Sequence, residues 1–264
     1  MRDWGLDSFY VTEVAKVSIQ MAHKKEETRV VDVIFGAHPI IEALKAKRRK
    51  INGLYTTNPQ PRAWDRIQEF LPKYAVPVKV MTKDALDKFC GTTDHMGVAA
   101  TFSTFPFRKN MFDPAKSPKI LLLDAIQDVR NLGAILRSVF CTGIDGVVMC
   151  SSKGAPLTGA ALKSSAGLAE YLEIYQAPSI KFAVAEIKKA GYGLYMAVAE
   201  GGKPVHQVEF TQPWCLVIGN EEKGIEHSVR KEGIGVTLVQ RASDSSYNAS
   251  VAAGILMYLA VNRS

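Results

Sequence analysis

Three features of the 264-residue chain predict an α/β protein: a mostly parallel sheet preceded by a smaller α/β unit. Short apolar runs such as "KILLLDA", "GVVMC" and "WCLVIG" alternate with amphipathic stretches. That alternation is typical of parallel strands covered on both faces by helices. A stretch with three prolines and no periodicity, "TFPFRKNMFDPAKSPK", divides the chain. Charge is divided as well. Residues 1–110 hold 18 Lys+Arg against 12 Asp+Glu, whereas residues 111–264 hold 15 against 14.

Residues 1–30 show no clear period, end in the charged "HKKEETR" and are read as an N-terminal extension. "VVDVIFGAHPIIEALKAKRRK" then reads as strand, turn and helix. Pro39 suits the first helical turn, where its missing N–H costs nothing. Ile40, Ile41 and Leu44 form an inward stripe, and Lys45 to Lys50 load the last turn with cations. "INGLYTT" is a strand, "PRAWDRIQEFLPKY" a helix and "VPVKVM" a strand. "TKDALDKFC" is a short helix capped by Thr82, and "HMGVAATFS" is a strand that completes a unit over residues 31–104. Residues 105–118 are the linker.

The second unit, 119–264, opens with the strand "KILLLDA" and the helix "NLGAILRSVFCTG", closed by Gly143. "GVVMC" is a strand; "GAALKSSAGLAEYL" and "IKFAVAEIKKAG" are helices. "GLYMAVA", "WCLVIG" and "GVTLV" are strands, and "NASVAAGILMYLAVN" is the last helix.

Composition narrows the function. No run of eighteen apolar residues exists, so no membrane span is expected. The N-terminus lacks the basic start and apolar core of a secretory signal. The four cysteines, Cys90, Cys141, Cys150 and Cys215, form no C-x-x-C pair and have no histidine at ligand spacing, so no metal is expected. Three lie in apolar stretches, which suits buried free thiols in a cytoplasmic protein. The dinucleotide fingerprint, the phosphate loop, the nucleophile elbow and H-E-x-x-H are all missing from the sequence. The net charge of +7, concentrated in the front half, points to a polyanionic partner there, with Lys47, Arg48, Arg49 and Lys50 as the densest cluster. A solvated lysine-rich surface is the alternative reading.

Ligands of open α/β sheets sit where strands end and loops begin. Three loops carry polar residues at such places. In "DAIQDVRNLGAILR", Asn131 is positioned to cap a helix, Gly133 and Ala134 keep its first turn thin, and Arg137 is a cation in a small, apolar surround. In "LVIGNEEKGIE", Gly219 allows close backbone approach and Glu221 supplies a carboxylate. In "LVQRASDSSYNASVAAGILMY", Ser245, Ser246 and Asn248 precede a helix start with free N–H donors.

Taken in this order, the three loops resemble the motifs of the SpoU family of RNA ribose 2′-O-methyltransferases, in the SPOUT superfamily. "NLGAILR" is similar to the first motif, "LVIGNEEKG" to the second and "SSYNASVAAGILMY" to the third, usually S-L-N-x-S-x-A-x-G. "GAPLTGAALKSSAGLAEYL" also looks like the family, and the likeness runs over about residues 119–260. "VIFGAHPIIEALKAKRRKINGLY" and "HMGVAATFS" resemble the family's small substrate-binding domain, similar to certain ribosomal proteins, found in its rRNA branch.

The resemblance implies a C-terminal trefoil knot, S-adenosylmethionine as cofactor and a homodimer with the last helix at its interface. The implied substrate is RNA, a guanosine of large-subunit (23S) rRNA. Methylation of tRNA and a catalytically inactive RNA-binding homologue are the alternatives. Asn131, Arg137, Glu221 and Ser246 would form the active site. Gly219, Asn220, Leu238, Tyr247 and Asn248 would contact the cofactor. Two departures fall in the third motif: Leu238, Val239, Gln240, Arg241 and Ala242 replace the usual I-P-M-x-G, and Tyr247 replaces leucine.

Overall fold

Two β-sheets organise the residues that the computed structural model describes, 31–241 and 247–263. The first has four strands: β1 (Val31–Phe35), β2 (Ile51–Thr56), β3 (Val78–Val80) and β4 (Val98–Ser103), in the order β1-β4-β2-β3. β2 runs antiparallel to β4 and parallel to β3. Three helices connect them: α1 (Ala37–Ala46), α2 (Trp64–Gln68) and α3 (Lys83–Cys90).

The second sheet has seven strands, and every pairing in it is parallel. They are β5 (Lys119–Leu123), β6 (Gly146–Cys150), β7 (Ile174–Ala177), β8 (Gly193–Ala197), β9 (Lys203–Pro204), β10 (Trp214–Ile218) and β11 (Ile234–Thr237). Their order is β7-β6-β5-β10-β8-β11-β9. The helices are α4 (Val129–Thr142), α5 (Gly159–Ser164), α6 (Ile180–Lys189) and α7 (Ala249–Val261).

β6 and β10 are buried along their whole length, which is why they read as unbroken apolar runs. Alternate residues serve opposite faces. Ile120, Leu122 and Val148 meet Ile180, Ala183 and Val184 of α6. Leu121, Leu123, Val147 and Leu216 share the larger core with Leu132, Ile135 and Leu136 of α4 and with Leu256 and Met257 of α7.

Several sequence expectations change. The helix expected over "PRAWDRIQEFLPKY" shrinks to Trp64–Gln68, with single-turn bonds from Phe70 N to Ile67 O and from Leu71 N to Gln68 O before Pro72. "GAALKSSAGLAEYL" is two pieces, α5 and a 3-10 turn at Leu168–Tyr171, separated by left-handed Ala166 (φ 54°) and Gly167 (φ 81°). A Cβ on Gly167 would lie 2.7 Å from Glu42 Cβ and 2.9 Å from Pro39 Cα, so the break lets α1 dock there. β7 was missed because it is a four-residue edge strand with only its end residues, Ile174 and Ala177, buried. Cys150 and Cys215 are buried, but Cys90 is half-buried and Cys141 exposed. Burial pushes the Cys150 thiol up to about 12.

Residues 105–118 are stitched to the second sheet rather than loose. Phe105 and Phe112 are buried, and the Arg108 N–H donates to Ile174 O at 2.8 Å. The larger apolar core runs without a break from Ile40, Leu54 and Phe102 into the second sheet. The expected extension at residues 1–30 lies outside the described residues.

Candidate active site

The site forms at the C-terminal ends of β5, β8 and β10, beside the start of α7. At the end of β5, the Asp124 N–H donates to Ile218 O at 2.8 Å, and its buried carboxylate accepts from the Glu226 N–H at 2.8 Å. Burial raises the pKa of this carboxyl, and the Glu226 N–H opposes the rise. Asp124 therefore clamps the loop after β10 to the end of β5. Its signal in the sequence was a carboxylate closing the all-apolar run "ILLL".

Asn220 and Glu221 knit the first two loops together. Asn220 Nδ2 donates to Ala125 O at 2.9 Å, while its Oδ1 accepts from the N–H groups of Glu222 (3.0 Å) and Lys223 (3.1 Å). Glu221 Oε1 accepts from Asn131 Nδ2 at 3.1 Å, and Oε2 from the Gln127 N–H at 3.4 Å. Two of the expected catalytic residues, Asn131 and Glu221, are thus directly bonded.

Asn131 is not the N-cap it was expected to be. Asp128 caps α4, its side chain accepting from the Arg130 N–H at 2.7 Å, and Asn131 sits within the first turn. That frees the Asn131 amide for Glu221. Gly133 and Gly219 also act differently than expected. A Cβ at Gly133 would lie 2.4 Å from Ala161 O, so what approaches closely is α5. A Cβ at Gly219 would lie 2.2 Å from Gly224 C and Ile225 N, so this glycine lets the loop fold back on itself through the Asn220–Gly224 bridge.

A cavity of about 470 Å³ lies against these loops, within the range of roughly 300–1,000 Å³ common for small-molecule sites. Ile218, Leu238 and Leu256 give it an apolar wall, and Glu200, Glu221 and Glu222 give it carboxylates. Gly219, Asn220 and Tyr247 line it too. Asn248 does not line it: its Oδ1 caps α7, accepting from the Ser250 N–H at 2.9 Å. Ser245 and Ser246 lie outside the described residues. Arg230, which the sequence reading missed, lines the cavity and donates from Nη2 to Ile225 O at 3.0 Å and Lys223 O at 3.4 Å. It stands six residues beyond the second motif, with no local pattern to mark it.

Arg137 is exposed on α4 and makes no hydrogen bond or ion pair with any described residue. The front cluster is divided. Arg49 is buried and pairs with Asp32 and with Glu170, the latter at 2.8 Å. Arg48 donates to Leu172 O at 2.6 Å and pairs with Glu173 at 2.7 Å. Both arginines therefore join the two sheets, and Arg49, expected with its neighbours to grip RNA, is buried; Lys47 and Lys50 remain exposed.

A parallel α/β sheet with a cavity of small-molecule size at its strand ends defines the class of open-sheet proteins that bind ligands there. Residues 118–258 match the SpoU rRNA methylase family, and residues 33–108 match the family of RNA 2′-O ribose methyltransferase substrate-binding domains. The chain belongs to the SpoU rRNA methylase family and is an RNA methyltransferase. A Synechocystis protein named as an uncharacterized tRNA/rRNA methyltransferase is 28% identical over 89% of this chain, which spans 63% of that relative's length. A 23S rRNA (guanosine-2′-O-)-methyltransferase from Shewanella oneidensis is 25% identical, with 88% of this chain and 97% of that one covered. The AdoMet-bound structure of an rRNA methyltransferase from Sinorhizobium meliloti shares the fold, with a TM-score of 0.73 and 19% identity over 89% of this chain and 88% of that one. Among the described residues no helix is long and apolar enough to cross a membrane.

Proposed function

We propose that this protein transfers the methyl group of S-adenosylmethionine to a ribose 2′-hydroxyl of RNA, on a guanosine of large-subunit rRNA. The observation that carries this reading is the hydrogen-bonded union of loops 124–128 and 219–225 beside the cavity, with an unpaired guanidinium on the helix that the first loop begins. The match of residues 33–108 to a substrate-binding family and the Shewanella relative support the choice of rRNA.

The residues present suit the cofactor. Ile218, Leu238 and Leu256 would hold an adenine ring, and the carboxylates of Glu200 and Glu222 suit a ligand bearing positive charge. S-adenosylmethionine supplies, when bound, a methyl group on a good leaving group, so the protein's part is alignment and electrostatics. Arg137 is a cation for the reaction, not its base. Neutralising an arginine with a pKa of ~12.5–13.8 at pH 7 would cost ~7–9 kcal/mol. A guanidinium beside the 2′-oxygen instead favours the ionised hydroxyl and holds the neighbouring phosphate. Glu221 fixes Asn131 at the mouth of the site. Homodimerisation through α7 and the knot accompany this reading. Val251 and Tyr258 of α7 are 48% and 63% exposed, which suits a covering second copy, and the insertion of β10 between β5 and β8 suits a threaded chain.

Calorimetry with S-adenosylmethionine, followed by mapping of ribose methylation in rRNA from cells lacking the protein, tests the proposal. Binding and one lost 2′-O-methyl are expected; absence of either rejects it. Arg230→Ala should lower cofactor affinity about tenfold, because losing a charged donor to two loop carbonyls costs ~1.5 kcal/mol or more. An unchanged Kd would remove Arg230 from the support of the cavity.

A further inference from the structure

A second concavity lies in the front unit, between the C-terminal end of α1 and the segment 69–74. Its volume is about 870 Å³, larger than the cofactor cavity. Cations dominate its lining: Lys45, Lys47, Arg48, Arg49, Lys50 and Lys73, against one carboxylate, Glu69. Three of the six are committed elsewhere, since Lys45 pairs with Glu42 and both arginines hold the junction between the sheets. Lys47, Lys50 and Lys73 are exposed and form no ion pair with a described residue.

An aromatic ring lines the same concavity as these three lysines. Tyr74 is 46% exposed, with the Lys50 Nζ 5.7 Å from its ring centroid. The Tyr74 hydroxyl donates to Ile51 O at 3.3 Å, which fixes the ring's orientation. A pre-oriented ring that shares a cleft with exposed cations is the combination that takes unpaired nucleotides: the ring stacks a base, and the cations follow the backbone. A duplex offers no free base face to the ring.

We propose that this cleft binds an unpaired stretch of RNA, with one base stacked on Tyr74 and the adjoining phosphates on Lys47, Lys50 and Lys73. The inference rests on the reading of the protein as an RNA methyltransferase and adds how its front unit holds the substrate. A stacked base takes the place of the Lys50 ammonium over the ring, and that ammonium turns to a phosphate.

Fluorescence anisotropy of the full chain with a fluorescein-labelled oligouridine, and with an RNA duplex of equal length, tests the cleft. Tyr74→Ala should weaken oligouridine binding about 5- to 150-fold and leave duplex binding and the salt slope unchanged. Lys47→Ala and Lys73→Ala should each lower the slope of log K against log salt by ~0.7. Tyr74→Trp keeps a stacking ring, so it should retain affinity, and its added indole emission should be quenched by the oligouridine. No binding of oligouridine by the unmodified protein, equal affinity of Tyr74→Ala, or an unquenched indole would each overturn the cleft proposal. Calorimetry with S-adenosylmethionine on the same variants separates the two readings. Cofactor binding that survives while the Tyr74 variants are neutral rejects only the cleft, whereas failure of the unmodified protein to bind cofactor rejects the proposed function.

Discussion

Replacing Arg137 with alanine is expected to abolish methyl transfer while leaving the fold and cofactor binding intact. The side chain is exposed and has no partner among the described residues. Its removal therefore breaks no ion pair and opens no cavity, and stability should move by no more than ~0.5 kcal/mol. The cofactor cavity is lined by other residues, so affinity for S-adenosylmethionine should hold. In the proposed function, what disappears is the cation beside the developing alkoxide. Loss of one such donor lowers kcat by roughly 10²–10³. Arg137→Lys separates charge from geometry: an ammonium restores the charge but cannot bridge hydroxyl and phosphate in a fork, so partial recovery is expected. Single-turnover methylation of rRNA, with thermal unfolding and calorimetry as controls, measures all three quantities. Turnover of Arg137→Ala within a few-fold of the unmodified protein would exclude the arginine from the chemistry.

The sequence carried most of the second sheet because its strands are buried on both faces and so appear as unbroken apolar runs. β10, with all five residues buried, could hardly read otherwise. β7 escaped because an edge strand of four residues carries too little of that pattern. The helix start at Asp128 was displaced to Asn131 because either residue can cap, and only the bond from Asn131 to Glu221 shows which one is needed elsewhere. Local spacing could show that Asn131, Asn220 and Glu221 were polar residues at strand ends. It could not show that Asn131 and Glu221 bond to one another across 90 residues. The run of four cations was the least faithful signal. Charge pattern alone does not separate a guanidinium facing solvent from one buried against a carboxylate on the other sheet.

That buried guanidinium supports the second large effect: Arg49→Met should destabilise the protein strongly, and more so at high pH than at low. Arg49 is held at three points, by Asp32, by Glu170 and by Ser103 O at 2.8 Å. Glu170 depends on it most. Its side chain is buried, Oε1 is bonded to Arg49 at 2.8 Å, and Oε2 has no hydrogen-bond partner among the described residues. Methionine keeps much of the volume but leaves that carboxylate uncompensated, an arrangement that costs about 3–5 kcal/mol. Burial already raises the Glu170 pKa above its ordinary value, and the Arg49 charge and hydrogen bond are what restrain the rise. Without Arg49 the pKa goes higher still. A carboxyl with a higher pKa folded than unfolded takes up a proton on folding, so stability falls as pH rises from the unfolded pKa to the folded one. The gap between variant and unmodified protein should therefore be widest near pH 8 and narrower near pH 5, where Glu170 can be neutral. Adding Glu170→Gln to Arg49→Met should recover part of the loss at pH 8, because an amide is cheaper to bury than an unpaired charge. Urea unfolding of the three proteins at both pH values measures the gap. A deficit below 1 kcal/mol, or one equal at the two pH values, would show that the junction between the sheets is held by its apolar core, with the ion pairs adding nothing.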